Sequence, residues 1–379
     1  MYFVEETKGI NYLKQFDYIL FCSVLLLTIT GLVVLSSATM TMSGGPSIMR
    51  TQIVSIVLGL IAALVMSSFD YKNLKSIGFI FYFGCIGMLV YVLRWGVGYE
   101  TFGSRSWISI LGLLTFQPSE LMKIASVIVS ATLLERMKEG NDVRRNTIKF
   151  IFYAMLPIVL ILLQPDYGMA MIFIVGFIIL IYIYGIKYKY IFMFMGLLVG
   201  AFPFVWFFML NDRRKQRILE FFFPGSEPTG SSWQLDRAEL AIGSGRIFGS
   251  GLYKGIQTQN NLVPVKESDM IFSVIGEELG FIGSVFVLIL ILIIIYRCIY
   301  IAKNAQDDFG AFLVMGIIGM MGFQFLQNIG MCLRLMPLTG LPLPFVSQGG
   351  SAMVTNYLSI GIILSVSLRR KRAMFQNSQ

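Results

Sequence analysis

Along the chain, long apolar runs alternate with short polar interruptions. Runs long enough to cross a bilayer, each of roughly 20 residues, fall near 18–38, 52–69, 76–93, 118–134, 148–164, 168–186, 190–210, 270–296, 311–332 and 351–368. The pattern predicts an all-α polytopic membrane protein of about ten transmembrane helices, forming a single membrane domain over residues 1–379. The first run ends in Ser36-Ser37-Ala38. It is longer than the roughly 7–15-residue core of a signal peptide, and we read it as a retained helix. One interruption differs from the rest: residues 211–268, between the seventh and eighth spans, form a large loop expected to be extracellular. It opens on Arg213, Arg214, Lys215 and Arg217, followed by Phe221-Phe222-Phe223-Pro224. Ser231-Ser232 can then cap a short amphipathic helix with Leu235, Ala238 and Ile242 on one face. Glycines follow at 243, 245, 249, 251 and 255. A loop of this length with aromatics and a helix of its own points to function rather than disorder.

Composition agrees with the pattern: 56% hydrophobic residues, 13% charged residues and a mean hydropathy of +0.74 lie outside the soluble class. Charge adds orientation. One alternate set of segments holds Lys8, Lys14, Lys72, Lys75, Arg136, Lys138, Arg144, Arg145, Lys149, Lys187, Lys189, Arg297, Lys303 and the run Arg369 to Arg372, whereas the other short segments hold only Arg50, Arg94, Arg105 and Arg334. Short cytoplasmic loops carry the Lys/Arg excess, and long loops follow that rule poorly. Both termini are therefore expected in the cytoplasm. The net charge of +9 reflects topology and implies no nucleic-acid partner.

The chain contains no histidine. Ser-His-Asp catalysis, histidine bases and histidine-ligated metals are thereby excluded. Cys22, Cys85, Cys298 and Cys332 are scattered over apolar segments without a C-x-x-C pair, which excludes a zinc or redox motif and leaves small buried hydrophobes.

Ionisable groups inside hydrocarbon cost several kcal/mol and are functional candidates by default. Glu120 and Lys123, at i and i+3, can meet on one helix either as a packing pair or as part of a site. Asp166, in Gln164-Pro165-Asp166, is open to reading as a turn or helix cap. Glu277 and Glu278 lie about 12 Å below Asp269 at 1.5 Å per residue; as neighbours they are not expected to face one cavity together. Asp269 falls where the basic loop meets a helix N-terminus, which stabilises a carboxylate. It is either a first-turn acid or a group able to take a proton or hold a divalent metal beside a phosphate. The glycines from Gly243 to Gly251 can offer amides to phosphate, but their spacing matches no phosphate fingerprint, and a flexible or tightly packed loop is the plainer reading.

Taken together, several stretches resemble the SEDS family (shape, elongation, division and sporulation) of bacterial cell-wall glycosyltransferases. They are Arg105-Ser106-Trp107-Ile108, Gln117 to Lys123 (QPSELMK), Gln164 to Gly168 (QPDYG), Ala241 to Gly245 (AIGSG), Ser268 to Phe272 (SDMIF), Gly276 to Gly280 (GEELG) and Pro337 to Ser351 (PLTGLPLPFVSQGGS). The wording of Thr339 to Phe345 is nearer the RodA branch than the FtsW branch. Three departures stand out: Val263-Pro264-Val265 replaces the family's Leu-Pro-Glu, Ser268 replaces Thr, and Gln348 stands where Tyr is usual.

The resemblance implies polymerisation of lipid II outside the bacterial cytoplasmic membrane, with release of undecaprenyl pyrophosphate. Asp269 would act as base or help position a divalent cation (Mg or Mn). Arg213, Arg217, Arg246, Lys254 and Lys266 would meet the diphosphate. Glu120, Lys123 and Asp166 would line a central cavity, to which Arg105 and Ser347 of the matching stretches also belong, and the implied partner is a class B penicillin-binding protein, a transpeptidase. Polar groups buried among helices also describe a transport path, so a lipid II flippase is the competing reading and a non-catalytic scaffold the third. One elaborate outer loop, without a repeated pair of broken helices, favours the polymerase.

Overall fold

The computed structural model describes residues 15–98, 106–110, 114–189, 212–223 and 231–370, with a few single positions between 193 and 207. Apolar runs become helices: α1 (Tyr18–Thr39), α2 (Gly45–Ser68), α3 (Leu74–Trp95), α4 (Pro118–Lys138), α5 (Val143–Leu163) and α6 (Tyr167–Tyr184). The large loop carries α7 (Asp212–Phe222), α8 (Ser231–Ser244) and the short α9 (Ile256–Gln259), and α10 (Ile271–Lys303), α11 (Asp308–Cys332) and α12 (Gly350–Leu368) complete the chain. Polar residues set the ends. Asp17, Asp166 and Asp307 cap α1, α6 and α11 by accepting from the amides of Leu20, Met169 and Gly310; Pro118 opens α4.

Among the described residues, eight helices are long and apolar enough to cross a membrane: α1, α2, α3 with its preceding turn, α5, α6, α10, α11 and α12. The expected span at 118–134 is α4, equally long but carrying Glu120, Lys123, Glu135, Arg136 and Lys138. It tolerates them because it is buried along nearly its whole length against α3, α5 and α11. The span read at 190–210 lies outside the described residues. Close helix contacts run through glycines, Gly59 against Tyr357, Gly176 against Met320 and Gly316 against Val127, as expected where lipid gives no hydrophobic drive to association.

The hydropathy pattern indicates neither α7 nor α9 in the loop, nor a small strand pair before α4. Ile108–Ile110 and Leu114–Phe116 form a small antiparallel ladder before α4, with Ile108 opposite Phe116; both strands alternate apolar and polar residues over three positions, too short for a hydropathy scan to register. Ion pairs gather at the opposite end of the bundle: Lys75 with Glu135 at 2.7 Å, Lys138 with Asp308 at 2.7 Å, Arg369 with Asp70 at 3.6 Å and Arg297 with Asp17. Residues assigned from sequence to one side of the membrane therefore share one end.

The 33-residue α10 is broken at Gly280 (φ 68°, ψ −164°). In an unbroken helix the amides of Phe281 and Ile282 would donate to the carbonyls of Glu277 and Glu278. The loop takes over all four groups. Ser250 and Gly251 donate to Glu277 and Glu278 at 2.9 and 3.1 Å, while Phe281 and Ile282 donate to Arg246 and Ile247 at 2.9 and 3.2 Å. So close a pairing needs small residues: a Cβ on Gly245 would lie 1.9 Å from the Gly276 oxygen, and one on Gly249 2.1 Å from the Glu278 oxygen. Tight packing, with the amides of residues 250 and 251 already taken, is thus the physical content of the glycine series. Gly243 has open space around its Cβ position. Gly245→Ala should lower the melting temperature of the detergent-purified protein, by at least about 2 kcal/mol of stability, whereas Gly243→Ala should be neutral or slightly stabilising; equal melting curves would contradict the pairing.

Candidate functional site

The site assembles where α10 begins. Asp269 is half-buried, and the Ser268 hydroxyl donates to its Oδ1 at 2.9 Å. Its main chain is fixed from below: Asn328 of α11 donates through one Nδ2 to the carbonyls of Asp269 and Leu341, each at 2.8 Å. That amide fastens the start of α10 to the irregular segment 333–349 that joins α11 to α12. Ser347 does the same from the other side, its hydroxyl donating to the Ser268 carbonyl at 2.6 Å and accepting from the Leu343 amide at 2.8 Å. The Gln348 amide adds a bond to the Glu267 carbonyl at 2.8 Å. Gln52 of α2 grips the segment's far end, donating to the Ser347 carbonyl at 3.1 Å and accepting from the Gly349 amide at 3.2 Å. Gly340, at φ 74°, faces the carboxylate; a Cβ there would stand 3.3 Å from Asp269 Oδ2. Backbone and small side chains therefore flank the carboxylate.

A second polar layer runs deeper. Gln324 donates to the Pro342 carbonyl at 3.0 Å and accepts from Lys123 at 2.9 Å, and Lys123 pairs with the fully buried Glu120 at 2.9 Å. Gln327 donates to the Pro337 carbonyl at 3.1 Å. Asp166 caps α6 and also accepts from Gln117 at 3.1 Å, which is the turn-and-cap reading of this residue. Gly168, just beyond it, lies against Thr339 and Leu341. The stretches around residues 117, 166, 269 and 340 are thus brought together.

The expected cations fare differently. Lys266 is buried, its ammonium donating to the Thr258 carbonyl at 2.5 Å and the Thr41 hydroxyl at 3.1 Å. Burial lowers its pKa, against the opposing pull of Glu267, Glu278 and Glu277. It serves the loop's interior, and the expectation that it meets a diphosphate is corrected accordingly. Arg246 and Lys254 are exposed; Arg246 belongs to the stretch paired with Phe281 beyond the break in α10, and Lys254 precedes Gly255, which lies against Glu277 and Glu278. Arg105 and the side chains of Arg213 and Arg217 lie outside the described residues. The adjacent acids make structural hydrogen bonds, in keeping with the expectation that they do not face one cavity together: Glu277 accepts from the amides of Gln257 and Thr258 and from the Thr258 hydroxyl, at 2.6, 2.9 and 2.6 Å, and Glu278 accepts from Ser37 and Gln259 at 2.7 and 3.0 Å. Both acids hold α9, because the break at Gly280 lets the loop wrap that side of α10.

Gln52, Gln324, Gln327 and Asn328 carry no charge and so do not stand out among the ionisable candidates of the sequence. Three amides at i, i+3 and i+4 within the apolar run 311–332 were the available signal. No group of three or more His, Cys, Asp or Glu side chains able to hold a metal occurs among the described residues. Asp269 fits instead the mode in which Mg is bound by one or two carboxylates together with a substrate's phosphate oxygens.

The model of the FtsW/RodA/SpoVE family, described as cell cycle proteins, matches residues 17–372. The chain belongs to the SEDS family. Among SEDS relatives, a probable peptidoglycan glycosyltransferase FtsW of Geobacter metallireducens is 33% identical over 368 residues, spanning 95% of this chain and 96% of that protein. Stage V sporulation protein E of Bacillus subtilis is 34% identical across 84% of this chain and 86% of its own length, and the peptidoglycan glycosyltransferase MrdB of Escherichia coli 31% identical across 92% and 93%. Such even identities do not separate the SEDS branches. The crystal structure of the rod shape determining protein RodA of Thermus thermophilus matches with a TM-score of 0.70 at 27% identity, covering 94% of this chain and 98% of that one. A chain from a peptidoglycan synthase complex that coordinates polymerization and crosslinking matches at 0.79 and 26%, covering 93% and 97%.

Within this SEDS framework the Glu120–Lys123 pair is the most exacting buried element, since removing one partner strands the other charge. Lys123→Met should cost about 3–5 kcal/mol in thermal unfolding. Adding Glu120→Gln should restore much of that stability, and a double variant as unstable as the single one would refute the ion-pair account.

Proposed function

We propose that this SEDS peptidoglycan glycosyltransferase polymerises lipid II on the outer face of a bacterial cytoplasmic membrane, with Asp269 as its catalytic carboxylate. The observation that carries the reading is the setting of that carboxylate: half-buried at the start of a membrane helix, fixed by Ser268, Asn328 and Ser347, and bordered by Gly340. The acceptor's GlcNAc 4-hydroxyl attacks the anomeric carbon of the donor MurNAc. The C–O bond to undecaprenyl pyrophosphate breaks, the new glycosidic bond forms, and Asp269 takes the hydroxyl proton. General-base help of this kind is worth about 10²–10⁴ in rate. Ser268 and Asn328 hold the base in place, so that substrate binding does not have to order it.

A divalent cation, Mg or Mn, would be held by Asp269 with the diphosphate oxygens and would neutralise the leaving group's charge. Because Lys266 is spent inside the loop, Arg213, Arg217 and Arg105 are the remaining sequence candidates for further positive charge at this end. Orientation follows from the Lys/Arg distribution, which puts both termini in the cytoplasm and Asp269 outside. A class B penicillin-binding protein is the natural partner, in keeping with the peptidoglycan synthase complex one of whose chains this one resembles.

Asp269→Asn keeps a group that can accept from Ser268 but removes the base. With lipid II in detergent, glycan ladders should fall by at least about 10², with the melting temperature unchanged. Ladders at the normal rate would overturn the assignment. Activity confined to sealed vesicles would indicate transport instead.

A further inference from the structure

The loop that completes α10 carries apolar side chains on its outside. Phe248 is 80% exposed and Ile247 58%, and beside them on α10 Phe281 is 65% and Ile282 53% exposed. Loops in water do not normally present such a contiguous apolar patch. Its depth can be read from α10. Arg297, paired with Asp17 and flanked by Tyr296 and Tyr300, marks one membrane interface in the manner of basic and aromatic anchors. Sixteen residues separate Arg297 from Phe281, a rise of about 24 Å at 1.5 Å per residue, against a hydrocarbon thickness of about 30 Å. Phe281 and Ile282 are therefore within the acyl region near its other boundary. Ile247 is backbone-paired to Ile282 and shares that level. From Phe281 the exposed face of α10 continues through Phe286, Ile289 and Leu292, a lipid-facing stripe with which the loop tip is continuous. Exposed Arg246 and Lys254 bracket the tip, as cations do when their stems follow apolar surface and their heads reach phosphate.

We propose that residues 246–254 are a membrane-seated wedge: Ile247 and Phe248 lie among the acyl chains of the leaflet on the Asp269 side, and Arg246 and Lys254 meet that leaflet's phospholipid phosphates. The occupant of this surface is bulk lipid. Its backbone can be there only because α10 satisfies it, in accord with the rule that irregular backbone at membrane depth must be paired within the protein. The inference stands apart from the catalytic assignment, since it uses neither Asp269 nor its chemistry.

The test is depth measurement by electron paramagnetic resonance. p-Acetylphenylalanine replaces Phe248 and is coupled to a ketoxime nitroxide, leaving all four cysteines intact, and the full chain alone is placed in phosphatidylethanolamine/phosphatidylglycerol nanodiscs. Reference labels go at Ile289, on the lipid face of α10, and at Glu239, on the exposed face of α8. At position 248, accessibility to oxygen should exceed accessibility to nickel-EDDA, as at 289. A nickel-dominated profile like that at 239, or a label reached by neither agent, would overturn the proposal. Phe248→Leu, which keeps the apolar tip, should leave the melting temperature in nanodiscs unchanged, while Phe248→Asp should lower it in nanodiscs more than in detergent. An equal drop in both would show that the tip packs on protein rather than lipid.

Discussion

The arrangement depends on one constraint: a backbone group away from water must find a partner. Breaking a helix at membrane depth releases two carbonyls and two amides, each costing several kcal/mol if left unpaired. Here the break at Gly280 is closed by residues 246, 247, 250 and 251. The loop is consequently part of the bundle and not an appendage. Once it is drawn against α10, the glycines at 245 and 249 follow from the spacing, and Glu277 and Glu278 become anchors for α9. Lys266 enters as their buried counter-charge, donating to the same α9 through the Thr258 carbonyl.

From that loop the chain passes straight into Ser268 and Asp269, so the break also determines how the carboxylate is held. Two independent supports meet there. The loop arrives from one side, and the segment 333–349 from the other, itself pinned by amides on α11 and α2. Asn328 is the shared member, bonded to both. One turn along α11, Gln324 joins the same segment to Lys123 and Glu120. A buried ion pair is weak evidence for stability in its own right. The pair lies within α4; the link to the segment that borders the carboxylate runs from Lys123 through Gln324 to the Pro342 carbonyl.

Much of this was legible in advance, and the divide is physical. Hydropathy located the spans because burial in lipid requires long apolar runs, and the α8 pattern at 235, 238 and 242 appeared because a loop helix must still bury one face. Asp269 could be named from its position at a helix start, whereas the amides that hold it could not, since Gln and Asn are read as polar without being read as partners. The roles of Glu277, Glu278 and Lys266 were hidden for a different reason. Each depends on a backbone break whose only mark in the sequence is one glycine among many. Gly280 is not distinguishable from Gly283 until the loop is seen closing on it.

The departures from the family wording show how the site tolerates change. Ser268 retains the hydroxyl that donates to Asp269 and lacks only a methyl group. At Val265 the carbonyl, not the side chain, organises the turn into α10, accepting from the amides of Ser268 and Met270 at 3.1 and 3.2 Å. At Gln348 the amide again makes the structural bond, to Glu267. Where the main chain supplies the contact, the identity of the side chain is free to vary, so long as the backbone conformation survives. At Asp269 itself the division is the reverse: the main chain is held by Asn328 through its carbonyl, and the carboxylate is left to Ser268 and the approach of Gly340.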